Sequence, residues 1–307
     1  GSGIVIIRYR KVVSSASIEL IRLSNNSVNE IVIAGTTSTV IGTDRCIIFP
    51  YTTDSSGLTG QTQYTFSPTE ALVCDILLVG GGGGGSGAGG GAGGYLYFTN
   101  ISLESGTTYT VKVGNGGTGS VFTGYSNYQP GNQGYQSTFS GGSISYTAYG
   151  GGGGGANAAG APSYSGLVGS YGGTGMDLDQ VQTYTSTQGN RGGNGIRFVN
   201  YGSGGGGGGA GAIGGTAYYV AGLFADSGNT VQYSNGGTGG NGLPNSITGT
   251  TVYYAGGGTG GANTDAGTDT STQVAPLGGG GLGARTSGGN GGNGTDGFGG
   301  GGGGGDF

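Results

Sequence analysis

Few side chains in this sequence are equipped for chemistry, and their spacing limits what they could do. Carboxylates approach one another at Asp177 and Asp179 and again at Asp265 and Asp269. Such pairs could form weak calcium loops, and solvated turn residues look the same. Histidine is absent, which removes the usual general base and the commonest metal ligand. The two cysteines, Cys46 and Cys74, lie in apolar runs, RCIIFPY and LVCDILLV. If those runs are neighbouring strands, a disulfide would close a loop of about 28 residues and stabilise by roughly 3–4 kcal/mol, which suits an extracellular setting. The alternative is two buried thiols acting as small hydrophobes.

The stretch DILLVGGGGGGSGAGG (75–90) has the outline of a dinucleotide fingerprint. The segment after it, GAGGYLYFTNISL, is strand-like and supplies no helix N-terminus for a pyrophosphate. No Gly-Lys-Ser/Thr comes after any glycine run, so there is no phosphate loop. The expectation is a protein that is not an enzyme, with no cofactor and no metal site. Two aromatic pairs, Tyr218 with Tyr219 and Tyr253 with Tyr254, could face a carbohydrate; the other reading makes them an apolar skin over glycine segments. Asn25, Asn100 and Asn293 stand in N-x-S/T patterns, about as many as so Asn-, Ser- and Thr-rich a chain gives by chance.

The elements that would position these residues are β-strands and glycine runs. Of 307 residues, 86 are Gly and 6 Pro, without the every-third-residue glycine of collagen. Disorder fits poorly, because charged residues are only 7% while there are 20 Tyr and 9 Phe. The net charge of −5, with nine Lys and Arg, argues against a nucleic-acid partner. No run of 18 apolar residues is present, so no membrane span is expected. Residues 1–56 read as a small β unit, rich in β-branched residues and punctuated by Asn-Asn and Gly-Thr turns. Residues 57–307 read as a second, glycine-rich domain with tracts at 80–94, 150–155, 202–209, 256–261, 278–283 and 299–305. Between the tracts lie aromatic strand-like pieces such as YLYFTNISL and TTVYYAGGG. Helix-forming patterns are nearly absent, and the fold class is all-β.

A glycine run can adopt the extended threefold polyglycine helix, whose N–H and C=O groups point outward and must find partners when buried. Without a Cβ, such helices can pack side by side. GGTGGNG (236–242) and GGNGGNG (288–294) place Thr or Asn at every third position, which would put the side chains on one edge of a threefold helix.

YTFSPTEALVCDILLVGGGGGGSGAGGGAGGYLYFTNISLESGTTYTVKVGNGGTGS, with GGTGGNGLPNSITGTTVYYAGGG further on, resembles the glycine-rich domains of phage and environmental-virus fibre proteins. The resemblance covers residues 60–307 and implies an all-β fold with packed polyglycine helices and a fibre or binding role. In that family a strand like GSGIVIIRY commonly comes after the last glycine run, whereas here it occupies residues 1–9. Ile4, Val5, Ile6 and Ile7, with Tyr9, are therefore a candidate intersubunit strand, donated head to tail to another copy. An excised repeat of a longer protein would also account for the placement, and proteolytic trimming for the absent initiator Met. The expectation is a self-associating subunit of an extracellular filament. The alternative is a virion fibre adhesin that recognises a cell-surface glycan or protein.

Overall fold

The computed structural model describes residues 1–10, 33–120, 129–156, 168–175, 186–198, 201–220, 225–226, 229–230, 233–262, 273–285 and 288–305. Among the described residues all regular structure is β-strand, and every strand pairing is antiparallel. The expected all-β, glycine-rich fold is what the chain adopts.

Two sheets form a sandwich. The larger contains β1 (Ile4–Arg10), β2 (Thr37–Ile41), β3 (Asp44–Pro50), β5 (Leu72–Val79) and β6 (Tyr95–Leu103), in the order β2-β3-β1-β5-β6. The smaller contains β4 (Gln61–Phe66), β7 (Tyr109–Gly114), β8 (Ser137–Gly141) and β9 (Ile144–Ala148), in the order β4-β7-β8-β9. Their facing side chains make one core. Val5, Ile7, Ile47, Phe49, Ile76 and Leu78 meet Tyr64, Phe66, Tyr109, Val111 and Phe139. Tyr109 stacks on Phe139 with centroids 5.4 Å apart, and Tyr64 meets the edge of Phe49 at the same separation.

The sheets differ in patterning because they differ in cover. In β4, Thr62, Tyr64 and Phe66 are buried while Gln63 and Thr65 are exposed, the alternation of a sheet with one wet face. The centre of the larger sheet is covered on both faces. Ile6, Cys46, Leu77 and Val79 pack on its outer face against Ile247, Tyr254 and Ala255. This explains four consecutive apolar residues in β1: Val5 and Ile7 enter the sandwich core, and Ile6 enters the outer cluster. Arg8 pins the same strand to β3 through Asp44, with Nη2 2.8 Å from Oδ2.

Residues 1–56 accordingly do not build a core of their own; β1, β2 and β3 share one sheet with β5 and β6. The strand expected as a candidate for donation to another copy has a slot in its own chain. β1 lies between β3 and β5 of its own chain, with Ile6 opposite Ile48 on one side and Leu77 on the other.

Glycine segments continue from the sandwich strands. β5 runs into 80–85, which turns at Ser86 and returns along 89–94 to β6. β7 runs into 115–120, β8 is entered from 129–135, and β9 continues into 150–156. Further extended rows lie beyond, among them 169–175, 189–195, 204–209, 236–241, 256–262, 279–285 and 300–305. Short hairpins join some of them: β10 (Ile196–Phe198) with β11 (Tyr201–Ser203), β12 (Tyr218–Val220) with β15 (Tyr233–Asn235), β13 (Ala225–Asp226) with β14 (Asn229–Thr230), and β16 (Leu243–Asn245) with β17 (Val252–Tyr254).

Candidate functional site

The glycine rows are bonded to one another through their backbones, and row 80–85 shows the rule. Gly81 and Gly84 N–H donate to Tyr135 and Asn132 O, at 2.9 Å each. Gly80 and Gly83 N–H donate to Gly94 and Gly91 O, at 3.0 and 2.8 Å, and Gly82 N–H donates to Gly1 O at 3.0 Å. On the acceptor side, Gly82 and Gly85 O receive Gly117 and Ser120 N–H, and Gly81 and Gly84 O receive Gly151 and Gly154 N–H. Gly83 O receives Gly302 N–H at 2.9 Å. The period is three residues: positions i and i+3 address the same neighbour. The row donates to neighbours running against it and accepts from neighbours running with it, so it is surrounded on six sides.

Such closeness leaves no room for a side chain. A Cβ on Gly83 would lie under 3.0 Å from Gly152 O, one on Gly84 equally close to Thr118 O, and one on Gly85 to Gly303 O. Side chains survive where a row borders solvent, or where a small hydroxyl is bonded between rows, as Thr174 Oγ1 is to Gly195 N–H. Thr238, Asn241, Asn290 and Asn293 are exposed, and so are Gln129, Asn132 and Tyr135, again three apart. The triplets in 236–242 and 288–294 thus do present Thr and Asn on one edge.

The family model described as a glycine-rich domain matches residues 56–307. The chain belongs to this glycine-rich domain family. No curated protein and no solved structure matches it. The match begins after β3, so in this family member the central strand of the larger sheet, β1, comes from outside the matched region.

Cys46 and Cys74 are both free and buried. The proposed disulfide is corrected by strand order. β1 separates β3 from β5, with Arg8 opposite Cys46 and Tyr9 opposite Cys74. Two strand spacings come to about 9.5 Å, beyond the Cα separation a disulfide spans. The thiols also face opposite ways, Cys74 into the sandwich core and Cys46 into the outer cluster. Burial pushes the Cys46 thiol up to about 11 against a partial opposing pull from Arg8, and burial with Asp75 pushes Cys74 up to about 12.

The tyrosine pairs do not make one face. Tyr254 is buried against the sandwich and stacks on Phe298, with Tyr253 beside it on β17. Tyr218 and Tyr219 lie on β12, whose partner strand β15 is tied through Ser234 to Ser203, at the far end of the rows. Only Tyr218, 53% exposed, and Tyr253, 37% exposed, present ring surface among those whose side chains are described. Asn100 and Asn293 are both exposed. Asn100 has φ 57° at a bulge where its N–H donates to Asp75 Oδ1. Asn25, Asp177, Asp179, Asp265 and Asp269 lie outside the described residues. Among the described residues no group of three His, Cys, Asp or Glu gathers, and no helix is long and apolar enough to cross a membrane.

Single polar residues at the junction of sandwich and rows carried no signal in the sequence. Ser137 Oγ is fully buried, donates to Val79 O at 2.8 Å and accepts from Gly114 N–H at 3.0 Å, tying the exits of β5 and β7. Ser2 N–H donates to Asp296 Oδ1 at 2.9 Å, and Ser2 O receives Gly299 N–H at 2.8 Å, fastening the entry to β1 onto the last rows. A lone serine in a Ser-rich chain gives no hint of either task.

Proposed function

We propose that the protein is a structural subunit of an extracellular fibre or filament, its glycine rows being polyglycine II helices packed side by side. One observation carries the reading. In row 80–85 the backbone groups bond to neighbouring rows with a three-residue period, the repeat of an extended threefold helix. A body bonded through its backbone in several directions resists bending, and it excludes the side chains that catalysis would need. Assembly runs head to tail by exchange of β1. The slot between β3 and β5 is the same in every copy, so a neighbour's strand fills it with equal contacts, and a heterologous contact of this kind propagates.

Tyr9 lies opposite Cys74 and both face the sandwich core. Directly opposed residues in an antiparallel pair have Cα atoms about 4.5–5.5 Å apart, which a disulfide can span. Filaments of a Tyr9→Cys variant, oxidised and dissolved in detergent, should therefore run as a ladder of covalent oligomers. Filaments that dissolve to monomers alone would rule out strand exchange, and discrete particles under the microscope would rule out the fibre.

A fibre adhesin is the second reading, and the far end of the rows favours it. There the chain departs and returns at Ser120 and Gln129, beside the Ser86 turn, and the exposed Tyr218 belongs to the same end. Binding of the purified protein to glycans or cell surfaces, lowered by Tyr218→Ala, would support it; unchanged binding in that variant would remove Tyr218 from the contact.

A further inference from the structure

A groove of about 590 Å³ opens where the wet face of the smaller sheet meets the glycine rows. Its walls come from the whole width of that sheet. Gln61 begins β4 at one edge, Tyr149 leaves β9 at the other, and Tyr135 and Gln136 lead into β8. Gln61, Gln136 and Tyr149 stand on the outward side, since their neighbours Thr62, Ser137 and Ala148 are the buried ones. Gly134 and Gly150 make the floor. Neither has room for a side chain: a Cβ on Gly134 would lie under 3.0 Å from Gly81 O, and one on Gly150 equally close to Gly134 O. Rows 129–135 and 115–120 separate this groove from Gly1.

Three features of the groove point to a ligand. Gly150 is buried, yet among the described residues its N–H meets no acceptor, and buried backbone groups are nearly always paired. Gly151 and Gly152 N–H turn away to Gly81 and Ser170 O, at 2.8 and 2.9 Å, so the Gly150 donor alone is left for the groove. The second feature is Tyr135, 39% exposed and yet fixed. Its N–H donates to Asn115 O and its C=O accepts from Gly81 N–H, at 2.9 Å each. Its ring lies over Gly60, where a Cβ would stand under 3.0 Å from the ring carbons. A ring already held offers contact area with little further loss of entropy. The third is a set of amides. Gln61 Nε2 donates to Gln136 O at 2.8 Å, and the Gln136 side chain itself is exposed. An amide carries donors and an acceptor side by side. No Asp, Glu, Lys or Arg is among the described lining residues.

We propose that this groove binds a neutral oligosaccharide. Sugar hydroxyls both donate and accept, which suits the Gln136 amide and supplies an acceptor to Gly150 N–H. The C–H face of a pyranose ring lies against the rings of Tyr135 and Tyr149, which are apolar on their faces. Without a cationic side chain the groove gives no partner to sialic acid, sulfate or phosphate groups, and the sugar is therefore uncharged. A peptide is a poorer match, because an added strand needs a ladder of free backbone groups and the floor offers one N–H. The volume lies within the range of small-ligand sites, about 300–1,000 Å³. The proposal rests on the adhesin reading above and gives it a contact apart from Tyr218.

The probes are linear tetrasaccharides of glucose, mannose, galactose and N-acetylglucosamine, added singly to the whole chain at up to about 10 mM, enough to fill a millimolar site. Backbone amide resonances are followed. At least one probe should shift Gly150 N–H saturably and leave Gly206 N–H, bonded to Gly215 O in distant rows, where it was. Tyr149→Ala should weaken that binding about tenfold, and Tyr149→Phe, which keeps the ring, should hold it within about threefold. Sialyllactose and the peptide acetyl-Gly-Gly-Asn-Gly-Gly-Asn-amide should leave Gly150 unmoved. No saturable Gly150 shift with any of the four sugars would overturn the site. So would full affinity in Tyr149→Ala, or a response to sialyllactose or the peptide as large as that to the sugars. If Tyr149→Ala fails to fold, Gln136→Ala gives the same test at an exposed side chain: affinity should fall about threefold or more, and unchanged affinity would overturn the role of the amides and with it the site. Attachment of the protein to cell surfaces alongside a silent Gly150 would overturn this groove and leave the adhesin reading standing; failure of both would remove both.

Discussion

The sandwich and the glycine rows solve one problem in opposite ways. In the sandwich, burial of Val5, Ile7, Phe49, Tyr109 and Phe139 supplies the stabilisation, worth roughly 1.5–3 kcal/mol for each large side chain. Apolar attraction has no direction, so neighbouring side chains can shift to accommodate a change. In the rows the side chains are gone and the bonds are directional, each Gly81 to Gly84 amide being aimed at one carbonyl of another row. Ordering glycine costs more backbone entropy than ordering any other residue, and a single bond offsets little of it. The rows are stable only when the whole set is made. The sandwich should therefore weaken by degrees and the rows should fail at once.

The largest effect is expected from Gly206→Val. Its Cβ would lie under 3.0 Å from Thr238 O, and a backbone carbonyl that already accepts from Gly215 N–H of another row cannot step aside. Loss of the cooperative unfolding transition, or destabilisation beyond about 4 kcal/mol, is the expected outcome in chemical denaturation. Gly292→Ala is the matched control: its Cβ meets only Leu282 at 3.4 Å, and a change within about 0.5 kcal/mol is expected. Equal tolerance at both positions would break the contrast between the two regions.

Ile7→Ala tests the sandwich by the same measurement. Ile7 is fully buried between the sheets, and removing its outer carbons should cost about 2–5 kcal/mol while leaving a single cooperative transition. A loss of folding as complete as that of Gly206→Val would mean that the sandwich is as brittle as the rows.

Ser137→Ala addresses the seam between them. The hydroxyl joins Val79 O to Gly114 N–H in a fully buried position, so its removal leaves both groups without that partner. A loss of about 1–3 kcal/mol is expected. The damage should show first as faster amide exchange at Gly80 and Gly114, ahead of the sandwich interior.

How much was legible in the sequence depends on how local each cause is. IVII declares a strand covered on both faces, because no other environment suits apolar residues on each side of the pleat. The Thr and Asn of the triplets point to an exposed edge by their even spacing, although Thr174 and Thr259 show that a row can also bury a small hydroxyl side chain. Strand order was not legible. That β1 enters between β3 and β5 depends on contacts such as Ser2 with Asp296, far apart in the chain and marked by no local pattern. The disulfide expectation failed on that point alone: Cys46 and Cys74 are on strands of one sheet with a third strand between them. Tyr218 and Tyr253 look alike in sequence, yet they lie at opposite ends because Tyr218 follows a row that leads away from the sandwich and Tyr253 precedes one.

The smallest effect at neutral pH, and the one that most sharpens the assignment of the two thiols to opposite faces, is their titration. Burial raises Cys46 to about 11 and Cys74 to about 12 from an ordinary value near 9. A group whose folded pKa is raised contributes stability that is complete below the unfolded value, and that contribution declines as pH rises through the folded one. From neutral pH to about 9 the thiols should leave stability unchanged. Between about 9 and 12 stability should fall, because the unfolded chain releases its protons first. A Cys46→Ala, Cys74→Ala double variant should show a shallower fall over that window. The native protein at pH 8 should take up no alkylating reagent, and the unfolded chain should take up two. Rapid modification of Cys74 alone in the native state would show that the sandwich opens at β5; rapid modification of Cys46 alone would place the opening at the outer cluster under Tyr254. Each result identifies which of the two regions yields first.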